Sequence, residues 1–587
     1  MRNSKFLITL IGLGIFIVFI VTFLSLSGCG PQKMQIPESE KSAQGVILED
    51  FLPETTLMSF SINTRDAMQK EKFDNLKSFF PNEDFEKLIE SALKDLNMEL
   101  ADNNLTYEND IAPIFSDSFK GIFAMDGNNV YVAFTVKDPQ KAETLIKMIA
   151  EKDSNIKEKE LFGFSILDNE KKDMYLVLYK DTILITNTSK TRYEAVKRQR
   201  NGESSLLANE NFKKSYESLP KPNLGMVYMN IQALFNDLSN LEGNDFKDVP
   251  YINALTYEAF AIIAESDGLR TVAQVKFNPD VKNFSIDDFP YKEPYLHTRI
   301  PGNDLIVYAE AYGLQVLLAS EANKKDFEDA KKMIKKYVGL DIDNDILTWM
   351  DKGYALVIQR NNDLIPGISL YIDASSDTKG AQKTLKVIDD AFEQLVFAMK
   401  NTLTRGGTAP EKIIEKSVVE TNRGNLNRVS FKFNELTDEE MDKIDFPKGF
   451  FTEPVEIYYG LIDDNDLFVF STLTGLDKEL NMDTSVVENP YIIEAMGYTK
   501  DYPYQLSYLS VEEALKYADR FVEIMTVLEG NPPKDVAEGF AKVKEYLAPI
   551  KYLVGGNQKV ENIAEGLMFI KMEKPAEEVE APAEVIE

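Results

Sequence analysis

Cysteine, histidine and tryptophan are nearly absent from this chain: each occurs once in 587 residues, as Cys29, His297 and Trp349. One cysteine excludes an intramolecular disulfide, so packing has to hold the fold. One histidine excludes a multi-histidine metal site, and no Gly-x-Ser-x-Gly elbow stands elsewhere to make a serine triad with it. Positive charge is also short. The 65 Lys and Arg against 96 Asp and Glu leave a net charge of −31, which repels phosphate backbones and argues against a nucleic-acid partner. Phosphate-cradling glycine loops are missing as well, since Arg405-Gly406-Gly407-Thr408 has no Lys-Ser/Thr pair behind it.

What is present suits a globular body. Hydrophobic residues make up 44% and charged residues 27%, and the length allows three or four domain-sized units. At the N-terminus Arg2 and Lys5 precede an apolar run over residues 6–26, which closes on Leu26-Ser27-Gly28-Cys29. That order predicts a lipoprotein signal peptide over 1–28, cleavage before Cys29, and lipidation of its thiol. Two or three acyl chains at about 0.8 kcal/mol per buried CH₂ make a lasting anchor. The alternative is an uncleaved signal anchor, because 21 apolar residues reach the roughly 20 that span a bilayer as a helix. Both place the body outside the cytoplasm, tied to a membrane or envelope at its N-terminus.

Residues 29–46 are polar and aperiodic, as a flexible tether would be, and the acidic, proline-bearing 574–587 reads as a disordered tail. Between them the chain looks written twice: a first repeat over 47–285, a linker over 286–299, and a second repeat over 300–573. Leu52-Pro53 before Leu57-Met58-Ser59-Phe60-Ser61-Ile62 matches Ile300-Pro301 before Leu305-Ile306-Val307-Tyr308-Ala309. An amphipathic stripe follows in each, Phe85, Leu88, Ile89, Ala92, Leu93 and Leu96 in one and Phe327, Ala330, Ile334, Tyr337 and Val338 in the other. Hairpins come next, turning at Asp126-Gly127-Asn128-Asn129 and near Asn361-Asn362-Asp363. Asp138 should cap a helix that carries Ala142, Ile146 and Ile149 inward, and Ala381, Leu385 and Ile388 repeat that spacing.

Further strands pair off in the same way. The run at 175–179 and 183–185 answers that at 457–462 and 467–470, and 226–230 answers 506–510, with Asn230 and Ser510 as candidate caps. Each copy should close on a hairpin, around Ser266-Asp267-Gly268 and around Gly555-Gly556-Asn557. The expected class is α+β: a tandem duplication, each copy an antiparallel meander sheet packed with helices.

This order of elements resembles a bacterial family known as domain of unknown function 3352. The motifs that carry the likeness are Leu52-Pro53, Lys137-Asp138-Pro139, and Asp345-Ile346 with Trp349-Met350-Asp351. Asp351 stands one position short of the family spacing, and Phe115 replaces tryptophan in the first copy. The resemblance covers about residues 47–573 and implies exported or anchored proteins with no established activity, so it supplies an architecture and no catalytic residues.

Other patterns fall short of chemistry. Asp341-Ile342-Asp343-Asn344-Asp345 opens like a calcium loop, but Ile346 stands where glycine must turn the chain and Lys352 where a glutamate must close the shell. A helix-capping loop is the simpler expectation. Asp463-Asp464-Asn465-Asp466 suits a hairpin turn. Ser91-Ala92-Leu93-Lys94 has the Ser-x-x-Lys spacing of penicillin-recognising enzymes without their other motifs, and His297 reads as a linker residue. The sequence therefore predicts no catalytic residue, no cofactor and no metal. The expected role is a non-enzymatic envelope lipoprotein that binds or scaffolds an unknown protein or ligand. A carrier or chaperone for a hydrophobic ligand between the repeats is the alternative, and a hydrolase with a site hidden in the sequence is the third reading.

Overall fold

A computed structural model describes residues 46–80, 114, 120–152, 156–169, 173–242, 253–281, 286, 291–314, 324–337, 339–361, 366–405, 413–436, 453–482, 484–529 and 534–575. Cys29 and the leader, the stripe over 85–96, the Ser91-x-x-Lys94 motif, Phe115 and most of the tail lie outside these residues.

The β-branched and aromatic runs become strands, and the twenty among the described residues join one antiparallel sheet. The first ten are β1 (Met58–Asn63), β2 (Lys120–Asp126), β3 (Asn129–Thr135), β4 (Ile156–Leu161), β5 (Phe164–Asn169), β6 (Met174–Tyr179), β7 (Thr182–Thr186), β8 (Gly225–Met229), β9 (Leu255–Glu265) and β10 (Gly268–Phe277). The second ten are β11 (Leu305–Tyr312), β12 (Gly353–Gln359), β13 (Gly367–Asp373), β14 (Ile414–Thr421), β15 (Gly424–Phe431), β16 (Val455–Ile462), β17 (Leu467–Ser471), β18 (Leu506–Ser510), β19 (Ile550–Val560) and β20 (Ile563–Met572). From one edge inward the order is β4-β5-β6-β7-β3-β2-β1-β8-β9-β10. From the other edge it is β14-β15-β16-β17-β13-β12-β11-β18-β19-β20. The halves meet where β10 pairs with β20, from Gly268↔Lys571 to Lys276↔Ile563.

Alternate residues of each strand face opposite sides, and the two sides are filled differently. On the first, the core runs through both halves and includes Tyr131, Tyr228, Tyr257, Tyr308, Tyr371, Tyr458, Tyr552 and Phe569, each at most 4% exposed. Burying the Phe569 ring contributes about 1.5–3 kcal/mol. Apolar residues of α3 (Ser189–Asn201), α4 (Glu210–Ser218), α8 (Leu476–Asn481) and α9 (Pro490–Thr499) seal this side. On the second side lie α1 (Ala67–Lys77), α2 (Pro139–Lys152), α5 (Ile231–Glu242) and α7 (Thr378–Arg405), over smaller separate clusters. The remaining helices are α6 (Lys324–Tyr337), α10 (Val511–Glu529) and α11 (Lys534–Leu547).

Most expected caps form. Asp138 Oδ1 accepts from the N–H groups of Gln140 and Lys141, Asn230 from Ala233, and Ser510 from Glu513. One expected turn is corrected. Gly555-Gly556-Asn557 lies inside β19, and the chain reverses at Glu561, whose φ is +52°. A Cβ on Gly556 would stand 2.5 Å from the Tyr502 carbonyl oxygen, so glycine there makes room for a crossing segment. Hairpins β4–β5 and β14–β15 have no counterpart in the expectation, because polar edge strands carry little apolar alternation. A bulge at Ile306 shifts the register of β11. Tyr308 therefore pairs with Tyr508 as Ser59 pairs with Tyr228, and Glu310 matches Ser61.

Candidate functional site

Three places in the sheet concentrate polar or exposed apolar groups. The first is the junction of the halves. Gln274 of β10 stands opposite Glu565 of β20 and donates to its Oε1 at 2.6 Å, while Ser218 donates to Gln274 at 2.9 Å. Burial raises the Glu565 carboxyl above its ordinary 4.5, and the two glutamine donors, Gln274 and Gln558, only partly oppose it. Nearby the buried Lys571 bridges Glu494 of α9 at 2.6 Å and Asp267 of the β9–β10 turn at 3.0 Å. Burial disfavours its charge, but those carboxylates outweigh it and lift the ammonium above its usual range. Tyr498 donates to Asp267 and stacks on Phe569 with centroids 3.8 Å apart. This cluster fastens the C-terminal strand to the first half.

The second place is the connection between the halves. Glu310, in the apolar run of β11, has no solvent exposure. Its carboxylate accepts from the backbone N–H of Tyr295, Leu296 and His297 at 2.5, 2.7 and 3.1 Å, and from the Tyr308 hydroxyl at 2.7 Å. His297 Nδ1 lies 3.2 Å away. Burial raises the carboxyl, yet His297, Tyr308 and the backbone donors outweigh it and hold it below 4.5. His297 lies in the connection between β10 and β11, and its partner Glu310 is one the sequence reading did not single out. A lone glutamate inside Leu305-Ile306-Val307-Tyr308-Ala309-Glu310-Ala311-Tyr312 is the signal that could have found it.

The third place is on the second side of the sheet. Leu553 of β19, Leu509 of β18, Val307 of β11, Ile358 of β12 and Ile368 of β13 stand directly opposite one another in an unbroken row. Four strand spacings make the row about 19 Å long. The first four are half-buried, Ile368 is 44% exposed, and Leu356 beside the row is 38% exposed.

The remaining sequence candidates among the described residues sit in ion pairs and turns. Asp341 pairs with Lys335 at 2.7 Å, Asp343 with Lys331 at 2.7 Å, and Asp345 with Lys383 at 2.5 Å, so each carboxylate of the D-x-D-x-D run has its own lysine. Asp341 caps a π-helical turn at Ile342–Ile346. Asp463, Asp464 and Asn465 adopt φ of 54°, 59° and 73° in the β16–β17 turn. Asp463 also receives Arg423 at 2.6 Å and Arg299 at 2.8 Å, partners that no local sequence pattern points to. Among the described residues no group of three His, Cys, Asp or Glu is placed to hold a metal ion, and no helix is long and apolar enough to cross a membrane.

A family model described as protein of unknown function (DUF3352) matches residues 7–532. The chain belongs to this family. The DUF3352 likeness rests on motifs whose places are now visible. Leu52 and Ile300, each before its proline, accept from the N–H groups of Leu206 and Val486 at 2.9 and 2.8 Å. Trp349 is fully buried, and its indole N–H reaches the Asp345 carbonyl at 3.0 Å and Thr384 at 3.2 Å. No curated protein matches the chain significantly. Among solved structures, crystal forms III, IV and I of a protein named TP0453 are similar at TM-scores of 0.26, 0.25 and 0.24. Their identities are 11, 10 and 10%, over 42, 40 and 41% of this chain and 85, 81 and 81% of theirs.

Proposed function

We propose that this DUF3352 chain is a non-enzymatic, membrane-anchored extracytoplasmic lipoprotein that binds or scaffolds a partner at the cell envelope. The observation that carries the reading is what its buried and half-buried charges do. Glu310, Lys571 and Asp463 each tie one part of the sheet to another, which suits a rigid binding body held on a tether. Anchoring rests on Leu26-Ser27-Gly28-Cys29. Cells fed labelled palmitate should label the chain, and a Cys29→Ser variant should lose that label. A wild-type chain that never takes up label would give the uncleaved anchor instead.

Two parts of this reading are finer. The halves are inferred to be a tandem duplication, supported by their common pairing order and by matched buried pairs such as Tyr228 with Tyr508 and Tyr257 with Tyr552. The second functional reading is a carrier for a hydrophobic ligand. The aliphatic row from Leu553 to Ile368 favours it, being straight, exposed at one end and close to the length of an extended acyl chain. A fluorescent single-chain fatty acid should bind the full chain and be lost about tenfold in Leu356→Asp, since a charge there desolvates without a partner. Unchanged titration curves would remove the carrier reading and leave the anchored binding body standing.

A further inference from the structure

Among the described residues the sheet ends in two edge strands, and the two edges are unlike. Among the described residues β4 pairs with β5 alone and β14 with β15 alone, so each outer edge presents unpaired backbone groups. An antiparallel sheet can continue across such an edge into a second copy of itself. Its two-fold axis then stands perpendicular to the sheet, and opposed residues face the same side. Only registers in which the two opposed residue numbers sum to an even value satisfy that condition.

Strand β4 reads Ile156-Lys157-Glu158-Lys159-Glu160-Leu161, with like charges at alternate positions. Pairing centred on Glu158 opposes Lys157 to Lys159 and Glu158 to itself. Centring on Lys159 opposes Glu158 to Glu160 and Lys159 to itself, and centring on Lys157 or Glu160 opposes that residue to its own copy. Every register centred on one of the four charged residues meets like charge, which is how an edge is kept single.

Strand β14 reads Ile414-Glu415-Lys416-Ser417-Val418-Val419-Glu420-Thr421. Centred on Val418, it opposes Val418 to Val418, Lys416 to Glu420 and Glu420 to Lys416, with Ser417 against Val419 and Glu415 against Thr421. No like charges meet. Val418 is 63% exposed and shares its face with Lys416, which reaches Asp389 and Glu393 of α7 at 2.9 and 3.2 Å. Phe397, four residues beyond Glu393 and so on the same flank of α7, is 69% exposed. These are the two most exposed large apolar side chains among the described residues, and both lie on the α7 side of the β14 half.

We propose that β14 is a homodimerisation edge: two copies of this chain join antiparallel strands about a two-fold axis at Val418, with Lys416 of each copy facing Glu420 of the other. The proposal goes beyond the functional reading above and does not depend on the anchor or on the aliphatic row. The two-fold brings the Val418 side chains directly opposite each other, at a spacing a disulfide can span. Val418→Cys and Glu160→Cys are made separately in the full-length chain, alongside the wild type with its Cys29. All three are then oxidised mildly in membranes. Val418→Cys should give a covalent dimer about tenfold faster than Glu160→Cys or the wild type, and adding Glu420→Lys should remove that gain by setting lysine against lysine. Both Cys sites are exposed, so folding is not at stake. A Val418→Cys chain that links no faster than Glu160→Cys, links to a different protein, or links equally with Glu420→Lys overturns the proposal.

Discussion

Strands β1 and β11 hold the same place in the two halves, yet β1 carries Ser61 where β11 carries Glu310. Ser61 makes one long bond, 3.4 Å to the Met226 carbonyl, and Glu310 gathers the connection between the halves. The comparison teaches that the pairing scheme itself needs no charge at this point. A carboxylate is tolerated there because donors from outside the strand converge on it, so the buried charge marks a task added to the scaffold. Glu310→Ala should therefore show the largest effect, about 3–5 kcal/mol in urea unfolding, because it orphans several buried donors at once. Ser61→Ala should change stability by about 0.5–1 kcal/mol. Equal losses at both positions would erase the distinction.

The same contrast has a pH signature. The Glu310 carboxyl is held below its ordinary 4.5, so the folded chain releases that proton more readily than the unfolded one. Its contribution is full above the ordinary carboxylate range and fades as pH falls through the folded value. The stability difference between wild type and Glu310→Gln should accordingly shrink toward acid. A difference that grows below pH about 4 would reverse the assignment.

A smaller difference separates β9 from β19. Ala261 lies opposite Met226 of β8, and the matching place on β19 is Gly556, where the segment at Tyr502 crosses. Gly556→Ala should cost about 1–3 kcal/mol through that overlap, measured by thermal unfolding. Ala261→Gly should cost about 1 kcal/mol, mostly backbone entropy in the unfolded chain. A Gly556→Ala variant as stable as wild type would mean the Tyr502 segment yields freely.

These pairs also show what the sequence could carry. Apolar runs and alternation located β1 to β3, β6 to β13 and β16 to β18, and placed β19 and β20 in one hairpin, since each buries aromatic or branched side chains on at least one face. It missed β4, β5, β14 and β15: β4 and β14 are polar edge strands against a single neighbour, and β5 and β15 beside them break up their apolar residues with Ser, Asp and Asn. Glycine misled at Gly555-Gly556 because a turn and a close approach both require the missing Cβ, and sequence alone does not distinguish them. The charge clusters were not legible as fasteners. Arg299, Arg423 and Asp463 are separated by up to 164 residues and meet only once the sheet has formed.

The smallest effect is expected where the halves touch. Gln274 and Glu565 occupy opposed positions on β10 and β20, so the first half offers a carboxamide and the second a carboxyl. Burial raises the Glu565 carboxyl, and the folded chain therefore holds that proton more tightly than the unfolded one. By linkage its stability is greatest below 4.5 and declines as pH rises from there through the folded value. Glu565→Gln keeps the hydrogen bond to Gln274 without an ionisable group. It should leave stability unchanged at acid pH and raise it by up to about 1 kcal/mol at pH 7, flattening the profile. If Glu565→Gln destabilises at pH 7 instead, the ionised carboxylate is accepting bonds that the carboxamide cannot replace, and the junction is held by charge as the β11 connection is.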